Sequence, residues 1–454
     1  MKLSLELFSF APFFWALAGF WIPKGWEKKG ALAASIVLFI ASFWLPSSAH
    51  SFLPFTLQVD SLAKIFIWLA SFLQIATILV SPTSLSPALQ YALLFLLQGF
   101  AFGLFMTEHL LAFFFFWEAL LVPVYLGMAI FGGEEKKEAL YSFILYMAFG
   151  SVALLVAISA VYAEFGSFSL SSWQEPLSIP LWVGGAFILA FVVKTPLFPF
   201  HSWLPQTYSA APLPFRLLLV ALLSKVGIFG FFRWFPLIQE SIHALQGPLV
   251  FLSLLGAVYA GFVAWGAPRL DSLLAYASLS HLNLLLTGLF VGGDITSFGV
   301  LFQTVQHGLT LFTLFLLIDW LEKKRCSLEW VDLGGIVAQA PRMTWWTFTF
   351  LLSLMSVPGF GSFVGEWLIL LGIFRYSLIA SVVVLSVWLL SAIYAMQWME
   401  RVYFGPSLTK VVVMEDLSWR QMACISPFFL LMLGFGIYPE IFFQQLPAFL
   451  FGGP

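Results

Sequence analysis

The chain has 454 residues, 61% of them hydrophobic and 9% charged, with 53 phenylalanines and a net charge of −2. Soluble domains carry about 25% charged residues, so an ordinary water-soluble protein is excluded, and a near-neutral chain offers nucleic acid no basic surface. Cys326 and Cys424 stand far apart with no CxxC or Cys/His spacing; they fit neither a disulfide framework nor iron–sulfur ligation, and no metal set is expected.

Apolar runs of about 20 residues, the length that crosses a bilayer, fall at 5–22, 31–48, 61–80, 89–107, 110–131, 139–163, 181–200, 212–236, 247–266, 272–291, 297–320, 343–375, 377–399 and 421–441. The expected fold is an all-α polytopic membrane protein of about fourteen transmembrane helices. The first run follows Lys2, but Glu6 sits early and no small-residue cleavage site follows, so it reads as a span and not a signal peptide. With the N-terminus outside, the cytoplasmic connections hold Lys24, Lys28, Lys29, Lys136, Lys137, Arg269, Lys323, Lys324, Arg325, Arg342, Arg401, Lys410 and Arg420. The outer side keeps Lys2, Arg233 and Arg375, which satisfies the positive-inside rule. The mixed clusters Glu134 to Glu138 and Glu322 to Arg325 read as solvated loops. No extramembrane stretch is long enough for a soluble domain, so chemistry with a soluble cofactor belongs to another protein. GFGSFVG at 359–365 lacks the GxGxxG spacing and lies within a span, which discards it as a nucleotide loop.

Two spans are interrupted. Span 7 carries Pro196, Pro199 and Pro205; span 12 carries Pro358, Gly359 and Gly361. Proline removes a backbone donor, and irregular backbone at membrane depth persists only inside protein or beside a wet cavity. Taken as five-helix units, spans 4–8 and 9–13 put broken helices 7 and 12 in matching positions, the pattern of an inverted repeat with its ion path at the breaks. The expected division is residues 1–88 for helices 1–3, 89–236 for the first repeat, 247–400 for the second and 401–454 for helix 14.

Four charges stand in the middle of these runs or beside a break within them: Glu118 in FFFFWEALLVPVY, Lys194 in FVVKTPLFPF, Lys225 in LLSKVGIF and Glu366 in SVPGFGSFVGEW. A charge at the bilayer centre costs at least about 2.5–3.5 kcal/mol, so four of them imply a chain that moves ions or protons through itself. Glu118 has no helix end nearby and is either ionised and paired or protonated and titratable. Lys194 lies one turn before a break, where freed carbonyls can solvate it. Lys225 has no carboxylate within a turn of its own helix, so it needs water or a partner from another span. His201, His307 and His281 either pass protons or are simply hydrogen-bonded within the bundle. Lys64 and Arg216 lie near span ends and read as snorkelling side chains.

These motifs in this order resemble the antiporter-like subunits of respiratory complex I, most closely the subunit M branch, the mitochondrial-type subunit 4. The resemblance runs through FFFFWEALLVPVYLGMAIFGG, FVVKTPLFPFHSWLP, ALLSKVGIFGFFRW, LLAYASLSHLNLLLTGLF, QHGLTLFTLF and SVPGFGSFVGEW, about residues 90 to 400. It implies that Glu118 pairs with Lys194, that Lys225 is the central proton carrier, and that His307 links it toward Glu366. A glutamate at 366 and the absence of a long lateral helix point to this branch and away from the longer sister. The family pattern WLPDAHxEAP stands here as WLPQTYSAAP, with Gln206, Tyr208 and Ser209 replacing polar or charged positions; DLKRLIAYSS stands as RLDSLLAYAS, with Asp271 and Ser272; and a lysine expected near the start of span 6 is Ser142.

The function implied is proton translocation within NADH:quinone oxidoreductase in the bacterial cytoplasmic membrane, driven by quinone reduction elsewhere in the complex. The chain itself binds no cofactor; NADH or another donor, flavin, iron–sulfur clusters and quinone belong to other subunits. Its partners are the remaining membrane-arm subunits, including the sister antiporter-like ones, and the lipid bilayer. A subunit of a multi-subunit cation/proton antiporter is the alternative. A membrane enzyme acting on a lipid-linked substrate is a distant third, because Asp60, Asp271, Asp294, Asp319, Asp332 and Asp416 are scattered with no DxD-like cluster.

Overall fold

The computed structural model describes residues 5–46, 57–82, 84–133, 136–173, 177–406 and 414–444; Lys2, Glu134, Glu135 and Lys410 lie outside the described residues. Among those described the chain is nearly all helix, with only isolated bridging pairs such as Leu57–Thr107 in place of strands. In chain order the helices are α1 (Leu5–Ala18), α2 (Glu27–Ser42), α3 (Ser61–Val80), α4 (Pro87–Met106), α5 (Leu110–Ala119), α6 (Leu121–Phe131), α7 (Lys136–Phe165), α8 (Leu181–Lys194), α9 (Trp203–Ala210), α10 (Leu213–Ala221), α11 (Val226–Arg233) and α12 (Phe235–Ala244). They continue as α13 (Gln246–Gly266), α14 (Leu270–Val291), α15 (Asp294–Arg325), α16 (Pro341–Leu354), α17 (Gly361–Tyr376), α18 (Leu378–Trp398), α19 (Trp419–Ile437) and α20 (Glu440–Phe443). Ten helical stretches among the described residues are long and apolar enough to cross a membrane, and Leu5–Trp21 and Leu181–Lys194 are shorter apolar helices. Phe14, Val152, Phe251, Ile379 and Leu389 are exposed, as a lipid solvent allows.

The chain divides into two compact units, Met1–Thr195 with Ala210–Ala244, and Pro196–Ser209 with Leu245–Pro454. In the first, α7 packs on α8 and α1 on α4. The Asp60 side chain caps α3 by accepting from the Ala63 N–H at 2.7 Å. The helical path runs on from α5 into α6 past Glu118: Leu120, at φ −59° and ψ −29°, is helical and its N–H still reaches the Phe116 carbonyl at 3.1 Å, and Leu110–Phe131 forms one span in which Pro123 only leaves the Ala119 carbonyl without its N–H. The run 212–236, expected as one continuous helix, is not one. Leu222, at φ −122° and ψ −56°, interrupts it, and Leu223–Lys225 form a tighter 3₁₀ turn in which the Lys225 N–H reaches the Leu222 carbonyl at 3.0 Å.

In the second unit α15 is a 32-residue pillar enclosed by protein along its apolar length. It begins after Gly292 and Gly293, whose φ of +73° and +85° suit glycine. It also absorbs Glu322 to Arg325, expected as a loop: Lys323, Lys324 and Arg325 form its last turn, where cations oppose the helix dipole. Likewise Lys136, Lys137 and Glu138 open α7. Helices α13 and α14 approach closely because Gly256, Ala257, Ala260, Gly261 and Ala264 line the buried face of α13. Between α16 and α17 the chain leaves the helical path; Ser356 has φ +52° and Gly359 φ +105°. There the Ser362 hydroxyl donates to the Ser353 carbonyl at 2.6 Å, satisfying an acceptor the helix end releases.

Candidate functional site

Both units bury ionisable side chains. In the first, Glu118 near the end of α5 is half-buried, and its Oε1 accepts a hydrogen bond from the Ser151 hydroxyl on α7. The same hydroxyl lies 2.8 Å from the Met147 carbonyl. Lys194, the last residue of α8, is buried; its Nζ donates to the Trp117 carbonyl at 2.8 Å and rests 3.9 Å from the centre of the Trp117 ring. Glu118 is the carboxylate whose field acts on Lys194, although no ion pair within 4 Å joins them. Trp117 therefore gives the ammonium both a carbonyl dipole and an aromatic face.

Lys225 is fully enclosed. Its Nζ donates to the Val220 carbonyl and, at 2.8 Å, to the Ser224 hydroxyl. The 3₁₀ turn is what presents this acceptor: a regular helix would commit the Val220 carbonyl to its own ladder, whereas here it receives the lysine and the Ser224 hydroxyl, the latter at 2.9 Å. Neutral oxygens thus hold the Lys225 amine, and among the described residues no carboxylate lies within ion-pair distance of it.

A second charge group of this unit joins Asp60, just before α3, and Glu108, between α4 and α5, to Arg233, the last residue of α11. Arg233 donates to Asp60 at 2.7 and 3.1 Å and to the Phe105 carbonyl at 3.0 Å, with Glu108 at 3.7 Å. Burial pushes the Glu108 carboxyl above the usual range, the Arg233 charge opposes that rise, and Asp60 adds to it.

In the second unit Glu366 on α17 and His281 on α14 meet at 2.8 Å, Oε1 to Nδ1. The same oxygen accepts from Gln303 Nε2 on α15 at 2.9 Å. Tyr394 on α18 places its hydroxyl 3.3 Å from His281 Nε2. The His307 ring centre lies 5.9 Å from that of His281. Four helices thus converge on one carboxylate–imidazole pair. The Glu366 Oε2, the Gln303 Oε1 and the whole Gln306 amide are buried with no protein partner among the described residues, so ordered water is their natural complement. His201 is stacked on Phe198 and edge-on to Tyr259, and its Nδ1 lies 3.2 Å from the Pro199 carbonyl. Asn283 clamps this bend: it donates to the Pro196 carbonyl at 3.1 Å and accepts from the Phe198 N–H at 3.4 Å.

The family resemblance implies His307 as the link toward Glu366, yet the direct partner of Glu366 is His281. Sequence reasoning missed Tyr394, Gln303 and Ser151 altogether. Gln303, Gln306, His307 and Thr310 recur at helical spacing along α15, and that polar stripe in an apolar run was the available signal. Tyr394 in SAIYAMQW carries no comparable pattern. Arg216, read as snorkelling, donates to the Ala211 carbonyl at 3.0 Å. Two of the departures from the family pattern touch each other: the Ser209 hydroxyl donates to Asp271 Oδ2 at 3.0 Å, and Arg269 binds both oxygens of Asp271 at 3.0 and 3.1 Å.

Fold and site together define a polytopic helical membrane protein that carries ionisable side chains in its interior. Residues 107–394 match the sequence profile of the family described as NADH:quinone oxidoreductase/Mrp antiporter, TM, and the chain belongs to that family. It is 32% identical over 397 residues to NADH-quinone oxidoreductase subunit M of Rickettsia bellii, covering 86% of this chain and 80% of that one. The subunit M of Rhodobacter capsulatus is 30% identical, with 91% and 88% covered. Among solved structures, a chain of respiratory complex I from Thermus thermophilus with bound NADH superposes with a TM-score of 0.89 at 27% identity, over 97% of both chains. A chain of the archaeal membrane-bound sulfane sulfur reductase shares the fold, with a TM-score of 0.87 at 19% identity over 97% of this chain and 96% of that one.

Proposed function

We propose that the chain is a proton-translocating membrane subunit of a NADH:quinone oxidoreductase, a multi-pass protein of the bacterial cytoplasmic membrane with its N-terminus outside. It holds no redox centre. Electrons pass from NADH or another donor through flavin, iron–sulfur clusters and quinone in other subunits, and quinone reduction there drives proton movement here. Its partners are the other membrane-arm subunits, sister antiporter-like chains among them. The observation that carries this reading is the set of ionisable side chains inside each unit: half-buried Glu118 with buried Lys194 and Lys225 in one, and buried Glu366 with His281 and His307 in the other. A buried charge is expensive unless it is used or compensated, and Lys225 is compensated only by neutral oxygens. The transfer order from Lys225 through His307 toward Glu366, with His201 beside the first break, is part of the proposal.

So are the finer topology of about fourteen crossings and the inverted repeats over 89–236 and 247–400. Two pairs of short helices separated by non-helical chain support them: Leu181–Lys194 then Trp203–Ala210, and Pro341–Leu354 then Gly361–Tyr376. The test is proton uptake by membrane vesicles oxidising NADH, with the complex quantified. Glu366→Gln keeps size and hydrogen bonding but cannot ionise, so protons moved per electron should fall. A normal ratio would overturn the role of Glu366. Proton movement driven by a sodium pulse with no electron transfer would favour the antiporter alternative.

A further inference from the structure

We propose that Tyr394 is a positioning residue that fixes which nitrogen of His281 carries the proton, so that the imidazole presents an N–H to Glu366. Tyr394 and His281 are buried, and among the described residues the tyrosine hydroxyl has a single hydrogen-bond partner, His281 Nε2 at 3.3 Å. If Nε2 carried a proton, the hydroxyl would have to accept it, and its own hydrogen would point at nothing. A buried donor left unmade is the costlier arrangement; idle lone pairs on an oxygen are cheaper. With the tyrosine donating, Nε2 is an acceptor, the neutral ring holds its proton on Nδ1, and that N–H lies 2.8 Å from Glu366 Oε1. The oxygen then receives two donors, His281 Nδ1–H and Gln303 Nε2, which suits an ionised carboxylate.

The titratable groups around His281 come from the packed helices: Glu366 from α17, His307 from α15 and Tyr394 from α18. The sole titratable side chain of α13, Tyr259, faces Phe198 and His201 instead. A proton reaching Nε2 from any other group must first displace the tyrosine hydroxyl, so Tyr394 also holds the ring ready for uptake on one defined side.

The primary test is the tautomer, which does not depend on the transport reading. The full chain, labelled with ¹⁵N-histidine and held in phospholipid nanodiscs, is examined by solid-state NMR; His281 is assigned as the resonance pair missing from His281→Gln. The expected wild-type ring is neutral with the proton on Nδ1. Tyr394→Phe removes one neutral hydrogen bond and should lower the ratio of Nδ1–H to Nε2–H by about fivefold. A wild-type ring that is cationic or protonated on Nε2 overturns the proposal without any variant, and so does an unchanged ratio in Tyr394→Phe. The second arm rests on the proposed proton transfer: in the assembled complex Tyr394→Phe should slow proton-coupled turnover with normal assembly. A shifted tautomer with unchanged pumping would overturn the role in transfer and leave the hydrogen bond standing.

Discussion

Replacing Lys225 with Met separates a carrier from a strut. The side chains are similar in volume, so the change avoids the cavity that Ala would open. Lys225 gives two charge-assisted hydrogen bonds, to the Val220 carbonyl and the Ser224 hydroxyl, worth about 1.5–3 kcal/mol each. Against them stands the cost of keeping an ammonium out of water, still several kcal/mol after relaxation. The carbonyl is not orphaned by the change, because the Ser224 hydroxyl still donates to it at 2.9 Å. The terms oppose one another and are of similar size, so stability should move by no more than about 2 kcal/mol. Assembly, read from complex content and thermal unfolding of purified membranes, should be retained. Protons moved per electron, read from vesicle acidification during NADH oxidation, should fall. A normal ratio with full complex content refutes the carrier role; failure to assemble makes Lys225 a structural cation and refutes the energetic reasoning.

Glu118→Gln and Lys194→Met should each impair pumping, and the double change should be milder than the sum by about 0.5–3 kcal/mol in transfer free energy; strict additivity would show the two act independently. Arg233→Met leaves Asp60 and Glu108 without their shared cation and should destabilise the chain by about 3–5 kcal/mol, so an unchanged unfolding midpoint counts against the cluster. Because burial raises the Glu108 carboxyl, the folded chain holds that proton more tightly than the unfolded one. Its contribution to stability is greatest at acid pH and is lost as pH rises from the ordinary carboxylate range through the folded value. Glu108→Gln should flatten that part of the midpoint-against-pH curve, and identical slopes would contradict the assignment. Gly256→Ala drives a methyl group into Asn283 Oδ1 and should cost about 1–3 kcal/mol; the readout is thermal unfolding, and a neutral effect would mean that the clamp on Pro196 and Phe198 yields freely.

The helical fold was legible because hydrophobic length is a strong signal: runs such as 61–80 reappear as Ser61–Val80. The charges Lys194, Lys225 and Glu366 were equally plain, each standing alone in an apolar run, and each is buried. What sequence could not supply was local backbone departure and lateral partnership. The 3₁₀ turn before Lys225 contains neither proline nor glycine to announce it. The hydrogen-bond partners of Glu366 come from two other helices, 63 residues away for Gln303 and 85 for His281, and no spacing rule within one helix reaches that far. The substitution at Asp271 looked like a lost basic contact; the structure shows Arg269 supplying the cation two residues earlier, with Ser209 completing the set.

The segment Pro196–Ser209 belongs to the second unit although the chain returns to the first for Ala210–Ala244. Its seat is held by Asn283, more than 80 residues further on. During synthesis this stretch must therefore be delivered to the membrane and kept soluble in it before its permanent partner exists. That segment gains its Asn283 contacts only when α14 has been made. Dividing the gene after Ala244 would keep the first unit whole but leave Pro196–Ser209 on the first fragment, so the second unit could be completed only with both fragments present.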